Sequence, residues 1–144
     1  MVTRIDFEVL QEAAATAMTR AYAPYSRFPV GAAAITEDGE IITAANVENV
    51  SYGLGLCAEV ALVSVGVSRG VLDGSQGDRN KRLVAVTVCD GGGRSLTPCG
   101  RCRQVLLEFG GPGLLVDGAQ GPRPLGELLP DAFGPDDLDR VRRP

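Results

Sequence analysis

Residues 82–109 read RLVAVTVCDGGGRSLTPCGRCRQVLLEF. Arg82 to Cys89 is an apolar run rich in β-branched residues, the composition that favours a strand. Gly91, Gly92 and Gly93 break it. Cys99 to Phe109 reads as a helix, which Gly110 and Gly111 stop. Leu114 to Val116 is a short last strand, and a helical turn follows near Leu125 to Leu129.

Upstream, Cys57 to about Arg69 (CAEVALVSVGVSR) reads as a buried helix; its valines suit a strand, but its length favours a helix. Gly70 to Lys81 is a polar loop. Phe28 to Ile35 reads as a strand, and Glu37-Asp38-Gly39-Glu40 holds the Asp-Gly pair of a tight hairpin. Ile41 to about Ala45 is then the antiparallel return strand, and Asn46 to Leu56 is irregular. Phe7 to about Tyr22 is an amphipathic helix, with Phe7, Leu10, Ala14, Ala17, Met18 and Ala21 recurring at three- and four-residue steps. Pro24 ends it. A hairpin followed by strand–helix alternation implies a mixed sheet with helices packed on it, an α/β class. Residues 1–144 read as one domain, with about 134–144 as an exposed tail.

The composition agrees. The 144 residues suit one core. Apolar residues at 44% and charged residues at 22% are ordinary for a globular chain. A net charge of −4 weighs against a nucleic-acid partner, which selects a basic face. Arg142 and Arg143, behind Asp136, Asp137 and Asp139, read as a solvated end. No apolar run approaches the roughly 20 residues of a membrane span, and the N-terminus lacks the order of a signal peptide. A cytoplasmic protein with no membrane partner is expected.

The chain has no histidine. That removes Ser-His-Asp and Cys-His nucleophiles and every imidazole-dependent metal site. Of the four cysteines, Cys89 ends an apolar strand and suits core packing. The others form two motifs at helix starts: Cys57-Ala58-Glu59 and Pro98-Cys99-Gly100-Arg101-Cys102. Cys99 and Cys102 share a helix face, and helix N-termini lower thiol pKa values. Two such ends facing each other assemble a three-thiolate site suited to zinc, with a fourth position for water. Zinc brings the pKa of that water from about 15.7 towards about 7, and Glu59 is placed to shuttle its proton. The rival readings are a redox pair, a closed four-cysteine zinc site, and an inert Cys57 beside a dipole-compensating Glu59. Zinc nucleobase deaminases carry H-x-E followed by P-C-x-x-C, with three cysteines as a ligand variant; C-x-E and P-C-x-x-C stand here in that order.

On these motifs, with 23–32 (APYSRFPVGA), 46–49 (NVEN), 98–104 (PCGRCRQ) and 128–133 (LLPDAF), the chain resembles the small, all-cysteine, homotetrameric cytidine deaminases over nearly its whole length. The resemblance implies a three-layer α/β/α sandwich around a mixed sheet of about five strands. It implies zinc-dependent deamination of cytidine and 2′-deoxycytidine in pyrimidine salvage. One Zn²⁺ per subunit would sit on Cys57, Cys99 and Cys102, with Glu59 as proton shuttle to N3 and the amine. The Ala58 N–H would meet the base carbonyl, Asn46 and Glu48 the ribose 3′-hydroxyl, and Phe28 would stack near the base. Phe133 would cap the base from a neighbouring subunit, and Tyr52 would reach a neighbour's site, so the tetramer shares its active sites.

One position departs. Many family members carry Arg directly after the Glu, where it offsets the thiolates; here it is Val60. Arg103 is expected to supply part of that compensation. Blasticidin S deaminases share the zinc motifs and an apolar residue after the Glu, and are the nearest rival; the 46–49 motif and Phe133 favour cytidine. A free-base or polynucleotide deaminase, a non-catalytic zinc module and a redox protein are the remaining alternatives.

Overall fold

The computed structural model describes residues 4–142. Helix α1 (Phe7–Met18) starts where the Asp6 carboxylate accepts the N–H groups of Glu8 and Val9, an N-cap that satisfies donors the helix cannot. It ends short of the expected Tyr22. The Ala21 N–H turns back to Met18, and the Tyr22 N–H goes to the Asn46 carbonyl, 3.0 Å away, so the chain leaves α1 to lie beside Val47.

Strands β1 (Val30–Thr36) and β2 (Ile41–Ala45) form the expected hairpin, with Gly39 at a φ of +89° in its turn. β1 also pairs antiparallel with β3 (Leu83–Asp90), and β3 pairs parallel with β4 (Leu115–Gly118). A fifth strand, β5 (Gly121–Pro124), runs antiparallel to β4, giving the order β2-β1-β3-β4-β5. The strand at Leu114 to Val116 is therefore not the last. Pro122 and Pro124 hide β5 from a propensity reading, and proline confines a strand to a sheet edge, which is where β5 lies.

Side chains alternate across the two faces of the central strands. On one face Ala33, Ala85 and Cys89 pack against Leu10 and Ala14 of α1. On the other, Ala32, Ala34, Ile42, Val86, Val88 and Val116 meet Leu62 and Val63 of α2 (Ala58–Ser68) and Leu106 of α3 (Gly100–Gly110). The result is the α/β/α sandwich. It also separates the cysteines, since Cys89 belongs to the α1 layer while Cys57, Cys99 and Cys102 belong to α2 and α3. Buried Asp117 ties α1 to the sheet, accepting from Gln11 Nε2 at 2.8 Å and Thr87 Oγ1 at 3.0 Å.

The short α4 (Leu125–Leu128) falls on the expected helical turn. The expected tail is helical. α5 (Pro135–Arg142) buries no residue but is capped, with the Gly134 N–H donating to Asp137 at 2.9 Å, acids in its first turn and arginines in its last. Residues 143–144, Arg143 among them, lie outside the described residues.

α1 lies on β1 with almost no separation at Gly31. A Cβ there would collide with the Ala14 carbonyl oxygen and stand 2.6 Å from the Met18 nitrogen. Gly31→Ala is expected to cost about 1–3 kcal/mol by overpacking, seen as a lower urea midpoint at unchanged slope. An unchanged midpoint would show that α1 can move off the sheet freely.

Candidate metal and catalytic site

Two helices begin at one place. Cys57 is the N-cap of α2 and Cys99 the N-cap of α3, and Cys102 lies one turn into α3. Their three sulfur atoms all fall within 4.8 Å of one another. A tetrahedral zinc with Zn–S bonds of about 2.3 Å holds its sulfurs about 3.8 Å apart, so the three thiols are placed to hold one such ion. Cys89, buried on the far face of the sheet, is not among them.

The electrostatics of the three thiols differ. The backbone N–H groups of Cys102 and Arg101, at the start of α3, hold the Cys99 pKa below its ordinary value. Burial pushes Cys57 up. Burial, then the Glu59 charge, pushes Cys102 far above the thiol range. Glu59 sits in the first turn of α2 with only 4% of its surface exposed, and burial raises its pKa. A carboxyl whose affinity for a proton is raised by burial, beside a metal site, is suited to taking and giving protons.

Cys57, Glu59 and Cys99 open on a cavity of about 470 Å³, with Val30 and Val88 in its wall. Asn46, Glu48, Tyr52, Cys57, Ala58, Glu59 and Cys99 all line it. Both loop residues are fixed by structural bonds. Asn46 accepts from the Val30 N–H at 2.8 Å and donates to the Phe28 carbonyl at 3.1 Å. Glu48 Oε1 accepts from Tyr25 and Ser26 N–H at 2.9 and 3.1 Å. Bonds from Ser26, side chain first, and from the Tyr25 backbone keep the Glu48 pKa low, so it faces the cavity as a carboxylate. The Tyr52 ring lies 6.0 Å from that of Tyr25, centroid to centroid.

Three expected residues stand apart. Phe28 is half-exposed and does not line the cavity, and neither does Phe133, which is 60% exposed beyond α3. Arg103 reaches backbone rather than a thiol: its Nε donates to the Pro98 carbonyl at 2.8 Å and its Nη1 to that of Leu128 at 2.7 Å. Sequence reasoning missed Leu96, Thr97 and Arg101, which also wall the cavity. Arg101 had a signal, its place between two candidate ligands; Leu96 and Thr97 had none beyond closeness to Pro98.

A family model described as "Cytidine and deoxycytidylate deaminase zinc-binding region" matches residues 5–116. The chain belongs to that family. It is 55% identical over 139 residues to a cytidine deaminase of Mycobacterium tuberculosis (strain ATCC 25618 / H37Rv), covering 96% of this chain and 98% of the relative. The crystal structure of cytidine deaminase from Mycobacterium tuberculosis superposes with a TM-score of 0.82 at 53% identity, over 91% of this chain and 99% of that one. A cytidine deaminase structure from Burkholderia pseudomallei gives 0.76 at 41% identity, over 90% and 100%. The family is a zinc-binding one, and the donor set found here fits zinc.

Elemental analysis of purified protein tests the ligand set. Cys57→Ser and Cys102→Ser are expected to lose bound zinc, whereas Glu59→Gln and Cys89→Ser keep about one per chain. Zinc retained in Cys102→Ser at the parent level would contradict the three-thiol assignment.

Proposed function

We propose that this chain hydrolyses cytidine and 2′-deoxycytidine to uridine and 2′-deoxyuridine with release of ammonia, using zinc held by Cys57, Cys99 and Cys102. The observation that carries the reading is the buried Glu59 carboxyl sharing one cavity with Cys57 and Cys99, whose sulfurs lie with that of Cys102 within 4.8 Å of one another. Zinc at such a site supplies Lewis acidity, bringing the pKa of a water towards about 7. The chain's own groups do the rest. Glu59 accepts a proton from the attacking water and passes it to N3, then accepts the second from the new C4 hydroxyl and delivers it to the departing amine. Water oxygen replaces nitrogen at C4, and ammonia leaves. The Ala58 N–H, in the first turn of α2 and without a helical acceptor, is available to the base carbonyl.

Asn46 and Glu48 recognise the ribose 3′-hydroxyl in this reading. Their support is that both line the cavity and both are immobilised by bonds to the Tyr25–Val30 segment. Phe28, whose carbonyl accepts from the cavity residue Asn46, is assigned to stack near the base. The chain works as a homotetramer with shared sites. Supporting this, α2 is apolar all round yet leaves Val65 and Val67 exposed, and such a helix is normally covered. Tyr52, Leu54 and Phe133 are also exposed by 60% or more. Phe133 completes a neighbour's site, and Tyr52, which lines the cavity of its own chain, also reaches a neighbour's. No described helix is long and apolar enough to cross a membrane. With all four cysteines free, a reducing cytoplasm suits the thiol site, and pyrimidine salvage suits the reaction.

Ammonia release by zinc-loaded protein is the test, on cytidine, 2′-deoxycytidine, cytosine, CMP and blasticidin S. Turnover is expected on the two nucleosides. Glu59→Ala should lower it by about 10²–10⁴. Turnover of blasticidin S alone would keep the chemistry and overturn the substrate. Light scattering should give four chain masses, and a monomer with full activity would overturn the shared site.

A further inference from the structure

Phe133 combines two properties that rarely meet. Its ring is 60% exposed, yet its backbone is held from both sides. Gln104 Nε2 donates to the Phe133 carbonyl at 2.8 Å. The next residue, Gly134, donates its N–H to Asp137 at 2.9 Å. Asp131, two residues before the ring, adopts a φ of +51°, a left-handed turn uncommon for a residue with a side chain. Phe133 has no part in the cavity that holds Glu59 in its own chain and only edges a shallow hollow beside Gln104 and Leu138, so an exposed ring on a fixed stem is free to be presented to another chain.

The stem is attached to the metal helix. Consecutive residues of α3 reach across to the end of α4 and the loop that follows it. Arg103 holds the Leu128 carbonyl at 2.7 Å, and Gln104 holds the Phe133 carbonyl. The same helix carries Cys102 and begins at Cys99. The loop from Leu128 to Phe133 is therefore clamped at both ends by the element that builds the site. Gln104 is itself exposed, so its bond is not an incidental product of core packing.

We infer that Gln104 is a positioning residue for substrate binding, fixing the stem from which Phe133 reaches the cavity of a second copy. This rests on the shared-site reading above, in which Phe133 covers the base bound by its neighbour. The neighbour's base then meets a ring whose place is set by the first copy's own metal helix. Gln104 touches neither substrate nor the reacting atoms. Its loss leaves the thiols and Glu59 in place and loosens only the ring.

Steady-state kinetics on cytidine, with assembled zinc-loaded enzyme, separates the possibilities. Phe133→Ala is expected to raise KM strongly. Gln104→Glu keeps the shape and removes the donor; it should raise KM about three- to tenfold with kcat within about twofold, as expected for one lost hydrogen bond acting on binding alone. Gln104→Lys restores a donor and should recover most of that loss. The double variant Gln104→Glu/Phe133→Ala should be no worse than Phe133→Ala alone, because the two act as one unit. A parental KM in Gln104→Glu beside a raised KM in Phe133→Ala would overturn the role of Gln104 and leave the shared site standing. A KM for Gln104→Lys as high as that of Gln104→Glu would also overturn it, since the donor would not be what matters. A parental KM in Phe133→Ala would remove the shared-site reading and this inference with it.

Discussion

Three thiolates brought together repel one another, and a doubly charged cation leaves them one negative charge in excess. The structure depends on how that is tolerated. Helix N-termini are sources of partial positive charge, and two of them, those of α2 and α3, meet at Cys57 and Cys99. The backbone N–H groups of Arg101 and Cys102 favour the ionised form of Cys99. Backbone thus offsets part of the thiolate charge at Cys99, so Val60 need not leave the site without compensation. The opposing influences are burial and Glu59, which disfavour ionisation of Cys102. A divalent cation reverses that balance, because a coordinating thiol is deprotonated outright.

The fold makes this meeting of helix ends possible. β3 and β4 are parallel, so the chain must cross between them, and α3 covers one face in doing so. α2 packs on the same face through Leu62 and Val63. α1 takes the other face, pressed so closely on β1 that Gly31 has no room for a side chain. Alternation along β3 then decides which cysteine is which. Val88 points to the cavity side, and its neighbour Cys89 points to α1. One residue of register separates an inert core thiol from a fourth candidate ligand.

Much of this was legible from the residues. The Asp-Gly hairpin, the β-branched run of β3 and the glycine stop of α3 each carry a local signal, and each element lies within two residues of its expected bounds. The spacing of Cys57, Glu59, Cys99 and Cys102 foretold the cluster, since the chemistry leaves few other reasons for that combination. Other features had no local signal. β5 contains two prolines and is specified by its partner β4, not by propensity. α1 stops early because Tyr22 finds a tertiary partner in Asn46. The bonds of Arg103 and Gln104 to Leu128 and Phe133 span 25 and 29 residues, and no spacing rule reaches that far. Arg101 and Thr97 line the cavity only because of how the loop before α3 is folded.

The central claim is a three-sulfur zinc site with Glu59 beside its fourth ligand position. X-ray absorption at the zinc edge of the loaded protein tests it most directly, because the extended fine structure counts sulfur neighbours. Three sulfurs at about 2.3 Å and one oxygen or nitrogen neighbour at about 2.0–2.2 Å are predicted. Four sulfurs, with Cys89 or a second chain's cysteine as the last, would describe a closed structural site and contradict the account.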